Sequence, residues 1–301
     1  MKRFSLVASS RPAFSPSPWI VSLFGLALLL LVGLAPVQAQ ADRVVNDGTA
    51  NDPTSAPQAC GSADDSSIQD AVNSASPGQT ILVCPGTYAE EVNVDKALTL
   101  NGPNAGISPN DASNPRNLNA NRNAEAIVKP SSGAAAAFHI GASNVTINGF
   151  TLDGDSGIPF GINNFDLDAG DFGQYEATEN FTVTNNIVRD FERFGIFVCN
   201  GNASCGASTS GALTIGGKVS TNRFVGIDGS SSGGGKAIDM QADGIIEMVT
   251  DNVILTGTPV VGQTQTGIQT ENLGLGNMTD ASGLTLTFSG NLIDVEDNGF
   301  F

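Results

Sequence analysis

The chain has 301 residues, enough for one elongated domain or two globular ones. Its 30 acidic residues outnumber its 13 lysines and arginines, and the formal net charge at pH 7 is −17. This charge argues against binding of nucleic acid, where basic patches supply the affinity. It also disfavours unaided binding of acidic polysaccharides, although bridging calcium would reverse that sign.

Residues 1–39 have the features of a secretory signal peptide. Lys2 and Arg3 give a basic start, an apolar stretch covers Trp19–Gly33, and small residues allow cleavage after Ala39. The alternative is a membrane anchor, but the apolar stretch is shorter than the ~20 residues that a span needs. We therefore expect a secreted protein, or one on the extracellular surface, with no membrane span in the mature chain.

All four cysteines follow this segment. An even number of cysteines in an exported chain favours disulfides. We expect Cys60 to pair with Cys84 and Cys199 with Cys205, which is one of three possible connectivities. Free buried thiols are the alternative.

The mature chain begins with a polar stretch and a short helix. Residues 40–65 are rich in Asp, Asn and Pro and are predicted to be a flexible lead-in. Asp65 or Ser66 is the expected helix cap, and apolar residues follow at helical spacing between Ile68 and Ala75. We expect this helix to cover the first strands of the next segment, because an exposed parallel edge recruits other chains.

A unit of three short strands, bent round two corners, then recurs along the chain. Its clearest copy is Asn180–Cys199, where apolar residues alternate with threonines and an Asn-Asn pair forms the corner. The corner asparagines are spaced by 38, 36, 30 and 39 residues. A fixed unit with variable spacing predicts coils stacked along one axis, with loops of different length. The corner residues are Asn148, Asn186, Asn222, Asn252 and Asn291.

This pattern resembles the right-handed parallel β-helix of the pectin-lyase-like superfamily, over residues 66–301. The segment SIQDAVNSASPGQTILVCPGTYAEEVNV, which begins at Ser67, also resembles the opening of many β-helix proteins, including pectin methylesterases. The resemblance implies an all-β solenoid with a short N-terminal capping α-helix and a ladder of corner asparagines. It indicates architecture rather than chemistry. Because the repeats run to Phe301, we expect the β-helix to be truncated at its C-terminus.

In this superfamily, ligands lie along the parallel sheet that follows the longer corners. If the isoleucines of that sheet point inward, the residues after them point outward. This places Asn163, Phe197, Asp239 and Gln269 in one column, with Gln241 and Glu271 in a second. Such a row of polar and aromatic groups suits a sugar chain. The alternative is an ordinary solvated sheet face.

Two basic residues precede this sheet on adjacent coils. A polysaccharide lyase needs a base and a cation that stabilises the developing charge, and Lys236 or Arg193 could serve, with Asp239 as a partner or calcium ligand. The alternative is a surface ion pair. The sequence has a single histidine, His139, so no site built on several histidines is possible, and the catalytic motifs of polygalacturonases, pectin methylesterases and pectate lyases are absent.

An acidic loop carries three further candidates. Asp166, Asp168 and Asp171 fall within six residues and could hold calcium, although the match to a known calcium loop is poor, because its fifth position is Gly170 and not an oxygen ligand. A solvated loop is the alternative. No other cofactor is expected.

Three functional hypotheses follow. The first is a secreted or cell-surface β-helix that binds polysaccharide or a cell-surface glycan, or acts as an adhesin, without turnover. The second is a polysaccharide lyase or glycoside hydrolase that works on the outward face of the parallel sheet. The third is a repeat stalk with no ligand.

Overall fold

The computed structural model describes residues 41–48, 58–155, 157–164, 178–199, 214–227, 235–241, 244–255, 265–271, 286–295 and 298–300. These residues form a right-handed parallel β-helix. Its strands belong to three parallel sheets, and successive coils add one strand to each sheet in turn. The sequence prediction of fold class is confirmed.

The first sheet contains β1 (Arg43–Val45), β2 (Thr80–Val83), β5 (Thr99–Asn101), β8 (Thr146–Asn148), β11 (Thr182–Thr184), β14 (Thr214–Ser220), β17 (Gly244–Thr250) and β20 (Thr287–Ser289). The second sheet contains β3 (Gly86–Tyr88), β6 (Ala126–Val128), β9 (Thr151–Asp153), β12 (Ile187–Arg189), β15 (Arg223–Val225), β18 (Val253–Leu255) and β21 (Leu292–Asp294). The third sheet contains β4 (Val92–Val94), β7 (Ala136–Ile140), β10 (Phe160–Asn163), β13 (Phe194–Cys199), β16 (Gly235–Gln241), β19 (Gln265–Glu271) and β22 (Asn298–Phe300).

The core lies inside the coils and follows from the alternation of side chains along each strand. In the first sheet, each strand from β2 to β17 has an apolar residue that stacks in register on that of the next strand. These residues have no solvent exposure, because side chains alternate along a strand and the column points into the coils while its neighbours point outward. The inward column contains Ile81, Leu100, Ile147, Val183, Val219 and Val249.

The predicted asparagine ladder forms at the corner between the first and second sheets. Asn222 Nδ2 donates to Asn252 Oδ1 at 3.1 Å and to the carbonyl of Val183 at 2.9 Å, and its own Oδ1 accepts from Asn186 Nδ2. Asn252 repeats this arrangement with Asn291. Each buried amide thus satisfies backbone groups of the neighbouring coils.

Asn148 does not belong to this ladder. It pairs in register with Thr184, so the residue equivalent to Asn186 on its coil is Phe150, whose N–H donates to Asn186 Oδ1. The prediction is wrong here because Asn148 ends strand β8 instead of following it, and the corner residue is Gly149.

The residue before the ladder position has a left-handed backbone in five successive coils. Glycine and asparagine tolerate this conformation, whereas a β-branched threonine is strained in it. The residues and their φ angles are Gly149 (81°), Asn185 (58°), Thr221 (54°), Asp251 (57°) and Gly290 (66°).

Two described parts of the segment predicted to be a flexible lead-in form regular structure. Within residues 40–65, strand β1 pairs with β2, and a 3₁₀ helix covers Gln58–Ser62. The pairing buries Val45, and the predicted disulfide Cys60–Cys84 ties this segment to the first coil. Cys199 is also disulfide-bonded, but its predicted partner Cys205 lies outside the described residues.

Helix α1 (Ile68–Ser74) is the predicted capping helix and contacts β1, β2 and β4. Its N-cap is Ser67, whose hydroxyl accepts the N–H of Asp70 at 3.0 Å, so neither Asp65 nor Ser66 is the cap. Both carboxylate oxygens of Glu90 also accept N–H groups of the first turn, from Ile68 and Gln69. These contacts satisfy donors that a helix start leaves open.

Residues 102–125, here called the strap, run from the first sheet across the outward side of the second. Arg223, which points outward from β15, donates to the strap carbonyls of Pro115, Arg116 and Asn117. Its side chain is mostly buried, and burial lowers the pKa of its guanidinium. The strap thereby joins coils that are distant along the chain.

Candidate functional site

The third sheet brings the predicted column together in the expected register. Asn163 lies beside Phe197, Phe197 beside Asp239, and Asp239 beside Gln269. The second column is also in register, because Cys199, Gln241 and Glu271 are partners on successive strands. The side chain of Glu271 lies outside the described part of the structure.

The first column is not an open surface. Asn163 is 1% exposed, Asp239 0%, Phe197 7% and Gln269 8%. Phe197 belongs to a second apolar cluster, separate from the core inside the coils, which also contains Phe160 and Phe194. A sugar chain would not reach these side chains in the conformation described here.

The aromatic members of this cluster pack directly against one another. The ring centroids of Phe160 and Phe194 are 5.3 Å apart, and those of Phe194 and Phe197 are 4.9 Å apart. Two cations lie near the central ring: Arg193 Cζ is 5.1 Å from the centroid of Phe194, and Lys236 Nζ is 5.2 Å from it. These distances are within the range of cation–π attraction.

Lys236 and Asp239 form an ion pair on this face. Lys236 Nζ is 3.3 Å from Asp239 Oδ2, and Gln241 Nε2 donates to the same oxygen at 2.8 Å. The Lys236 side chain is 12% exposed and that of Asp239 is fully buried. A buried carboxylate is stable when an opposite charge and a further hydrogen bond compensate it, as they do here. The three predicted residues Arg193, Lys236 and Asp239 therefore lie on neighbouring coils, with Lys236 and Asp239 engaged with each other.

The single histidine lies in the same outward column, beyond Asn163. His139 is buried in β7 and pairs in register with Asn163 on one side and Asn93 on the other. Its Nδ1 lies 2.8 Å from Asn163 Oδ1, at hydrogen-bond distance. It is part of the sheet.

The calcium prediction concerns Asp166, Asp168 and Asp171, which lie outside the described residues. Within the described ranges, no group of three or more His, Cys, Asp or Glu side chains is placed to hold a metal ion. No helix in this part of the chain is long and apolar enough to cross a membrane.

The first sheet contains a surface that sequence reasoning missed. Thr80, Thr99, Thr146 and Thr182 are in register on four successive strands, and each is partly exposed. We call these four residues the threonine row. The signal in the sequence was the recurrence of TIL, TLN, TIN and TVT. In each of these strands a threonine takes the first outward position, and the second outward position follows two residues later.

A second outward row runs beside the threonine row. Its members are Leu82, Asn101, Asn148 and Thr184, again in register and partly exposed. Together the two rows form a partly exposed face at the regular spacing of stacked strands, about 4.8 Å. Its amide groups are less available than its threonine hydroxyls, because Asn101 Oδ1 is buried and Asn148 Oδ1 accepts from the Gly106 N–H and from Asn185 Nδ2.

The sequence matches no protein-family model and no curated protein. Among solved structures, the crystal structure of a pectin methylesterase mutant in complex with a hexasaccharide is similar, with 12% sequence identity and a TM-score of 0.30. The match covers 77% of this chain and 66% of that chain. Similarity at this level transfers neither an activity nor a site to this protein.

Proposed function

We propose that this chain is an extracellular β-helix that binds glycans without turning them over. The proposal is carried by one contrast between two faces. The predicted catalytic groups Lys236 and Asp239 form a buried, mutually neutralising pair, whereas the first sheet presents a regular and partly exposed array of threonine hydroxyls with asparagine side chains beside them.

The array has the chemistry that sugar recognition needs. A threonine hydroxyl both donates and accepts hydrogen bonds, as a sugar hydroxyl does, and an asparagine amide offers both roles as well. The threonine methyl groups add small apolar surfaces for sugar C–H groups. The predicted signal peptide and the disulfide Cys60–Cys84 agree with an extracellular setting, where such ligands occur.

The test is a panel of neutral and acidic polysaccharides, with and without calcium. Retention of the purified chain on immobilised glycan is measured beside the release of reducing ends and of unsaturated products. We expect retention without product. Absence of retention on every glycan in both conditions would contradict the proposal and favour a stalk with no ligand.

The proposal gives calcium a role only as a ligand of the acidic loop. If Asp166, Asp168 and Asp171 bind calcium, the ion would allow an acidic glycan to approach a chain of net charge −17. Retention of acidic glycans only in the presence of calcium, lost on substitution of Asp168 by Asn, is the expected sign of such a role.

A polysaccharide lyase or glycoside hydrolase is the second candidate. The observation in its favour is that the fully buried carboxylate of Asp239 pairs with Lys236, while Arg193 lies over the ring of Phe194 on the same face. Catalytic sites often bury charged groups together. Glycan cleavage by the wild-type chain, abolished by Lys236→Ala and Asp239→Ala in correctly folded protein, would establish it. Cleavage that survives both substitutions would exclude these roles.

A further inference from the structure

The hydroxyl groups of the threonine row are available to a ligand. Within the described residues, none of the side-chain oxygens of Thr80, Thr99, Thr146 and Thr182 makes a hydrogen bond to another protein group. Thr184, in the neighbouring row, differs because its hydroxyl lies 2.9 Å from that of Thr221. The threonine row therefore presents free donors and acceptors, whereas the second row is partly engaged with the protein.

The charge of this face limits the ligand. Neither row has a charged residue on strands β2, β5, β8 and β11, although the chain as a whole carries −17. At one end Asp42 lies beside Thr80, where its carboxylate accepts the Thr80 N–H at 2.7 Å. An uncharged ligand needs no ion pair here, whereas the net negative charge of the chain disfavours a uronate polymer, although the exposed Lys218 follows Thr182 in register.

The length of the row limits the ligand further. Three steps of about 4.8 Å separate Thr80 from Thr182, so the uninterrupted row is about 14 Å long and runs along the axis of the solenoid. The next two positions in register hold Lys218 and Met248, both exposed, before Thr287 resumes the pattern. A single sugar would touch only one or two of the four threonines, while a chain of several sugars would touch them all.

We infer that the threonine row binds a neutral oligosaccharide or polysaccharide chain laid along the axis of the solenoid. This inference rests on the proposed glycan-binding function and specifies its surface and ligand class. The site begins at Thr80 and ends at Thr182, where the long side chains of Lys218 and Met248 interrupt the regular surface.

The decisive experiment removes hydroxyl groups without changing shape. The double variant Thr99→Val and Thr146→Val keeps the branched side chains that favour a strand and removes two hydroxyls from the centre of the row. Thr87→Val is the matched control, because Thr87 is an exposed threonine on strand β3 of the second sheet. Binding of cellohexaose, mannohexaose and xylohexaose is measured by calorimetry, with polygalacturonate as the acidic comparison.

We expect at least one neutral hexasaccharide to bind wild type and the Thr87 control equally. We expect the double variant to bind it about tenfold more weakly, the effect of two lost hydrogen bonds of ordinary net strength. The variant Lys218→Thr with Met248→Thr extends the row to Thr287 and should bind longer chains more tightly than wild type. A gain in affinity cannot result from misfolding, so this variant tests the site even if the double valine variant folds poorly.

The outcomes separate this inference from the function on which it rests. Glycan binding that is unchanged in both row variants would overturn the threonine row as the site and leave the glycan-binding function in place. Preference for polygalacturonate over every neutral chain would overturn the ligand class. Failure of wild type to bind any glycan would overturn both proposals together.

Discussion

Nη2 of Arg223 donates a hydrogen bond of 2.7 Å to the backbone carbonyl of Arg116, although the two residues are 107 positions apart in the sequence. Nη1 of the same guanidinium lies 3.1 Å from the carbonyl of Pro115 and 3.4 Å from that of Asn117. One side chain thus holds the middle of the strap against the second sheet.

Replacement of Arg223 by Ala should therefore destabilise the protein. Three strap carbonyls lose a charged donor, and the expected loss is about 2–4 kcal/mol in the free energy of unfolding, measured by denaturant titration. Arg189→Ala is the matched control, because Arg189 lies on the preceding strand of the same sheet but is 42% exposed and pairs with Asp153. Its loss should cost no more than about 1 kcal/mol. Equal effects of the two substitutions would show that the strap is not held through Arg223.

The asparagine ladder predicts a graded response to substitution. Asn222→Ala removes an amide that is fully buried and makes four hydrogen bonds to neighbouring coils. We expect a loss of about 2–5 kcal/mol in the free energy of unfolding. Asn148→Ala, outside the ladder and partly exposed, should cost clearly less. Equal losses would mean that Asn148 supports the corner as the ladder residues do.

The corner glycine at 149 should not tolerate a side chain. Its φ angle is 81°, and a Cβ atom there would overlap the backbone of Asn104 and Ala105 at the start of the strap. Gly78 has a similar φ angle of 87°, but no atom lies within 4 Å of its Cβ position. Gly78→Ala should therefore cost only the backbone strain, about 1–2 kcal/mol.

Gly149→Ala should cost more than about 3 kcal/mol, because steric overlap adds to the strain. Thermal unfolding of both variants measures the difference. If Gly149→Ala is no more harmful than Gly78→Ala, then the strap does not approach the corner as closely as the structure indicates.

Glu90 should make stability depend on pH. Burial raises the pKa of its carboxyl above the usual 4.5, with a smaller contribution from Asp70, although hydrogen bonds from the N–H groups of Ile68 and Gln69 act in the opposite direction. The folded state therefore holds this proton more tightly than the unfolded state. Its contribution to stability is complete below about pH 4.5 and is lost as the pH rises through the folded-state pKa.

The variant Glu90→Gln isolates this effect. The free energy of unfolding is measured for both proteins across this pH range, and the wild type should lose stability relative to Glu90→Gln as the pH rises. A difference that stays constant with pH, or that changes in favour of wild type, would contradict the direction of the pKa shift.

The architecture and the register were predictable from the sequence because both depend on local patterns. Alternation of apolar and polar residues placed Ile147 and Val183 inside the coils, and it placed Phe197 beside Asp239 on successive strands. The pairing of Cys60 with Cys84 was likewise predictable, since few arrangements of four cysteines are possible.

The errors arose where distant parts of the chain decide the outcome. Strand β1 is too short to show a periodic pattern, and it is ordered by pairing with β2, whose partner residue Ile81 lies 38 positions after Arg43. Alternation also shows that Asp239 points away from the core, but it does not show that Asp239 is then buried and paired with Lys236. The threonine row was missed because a single strand contains only one of its members.

The most direct test of glycan binding without turnover is affinity electrophoresis of the purified chain in native gels that contain neutral polysaccharides. A reducing-end assay on the same mixtures then measures cleavage. We predict that at least one neutral glycan slows the wild-type chain, with no release of reducing ends over many hours. Unchanged mobility on every glycan would contradict glycan binding. Release of reducing ends would contradict binding without turnover and direct attention to Lys236 and Asp239.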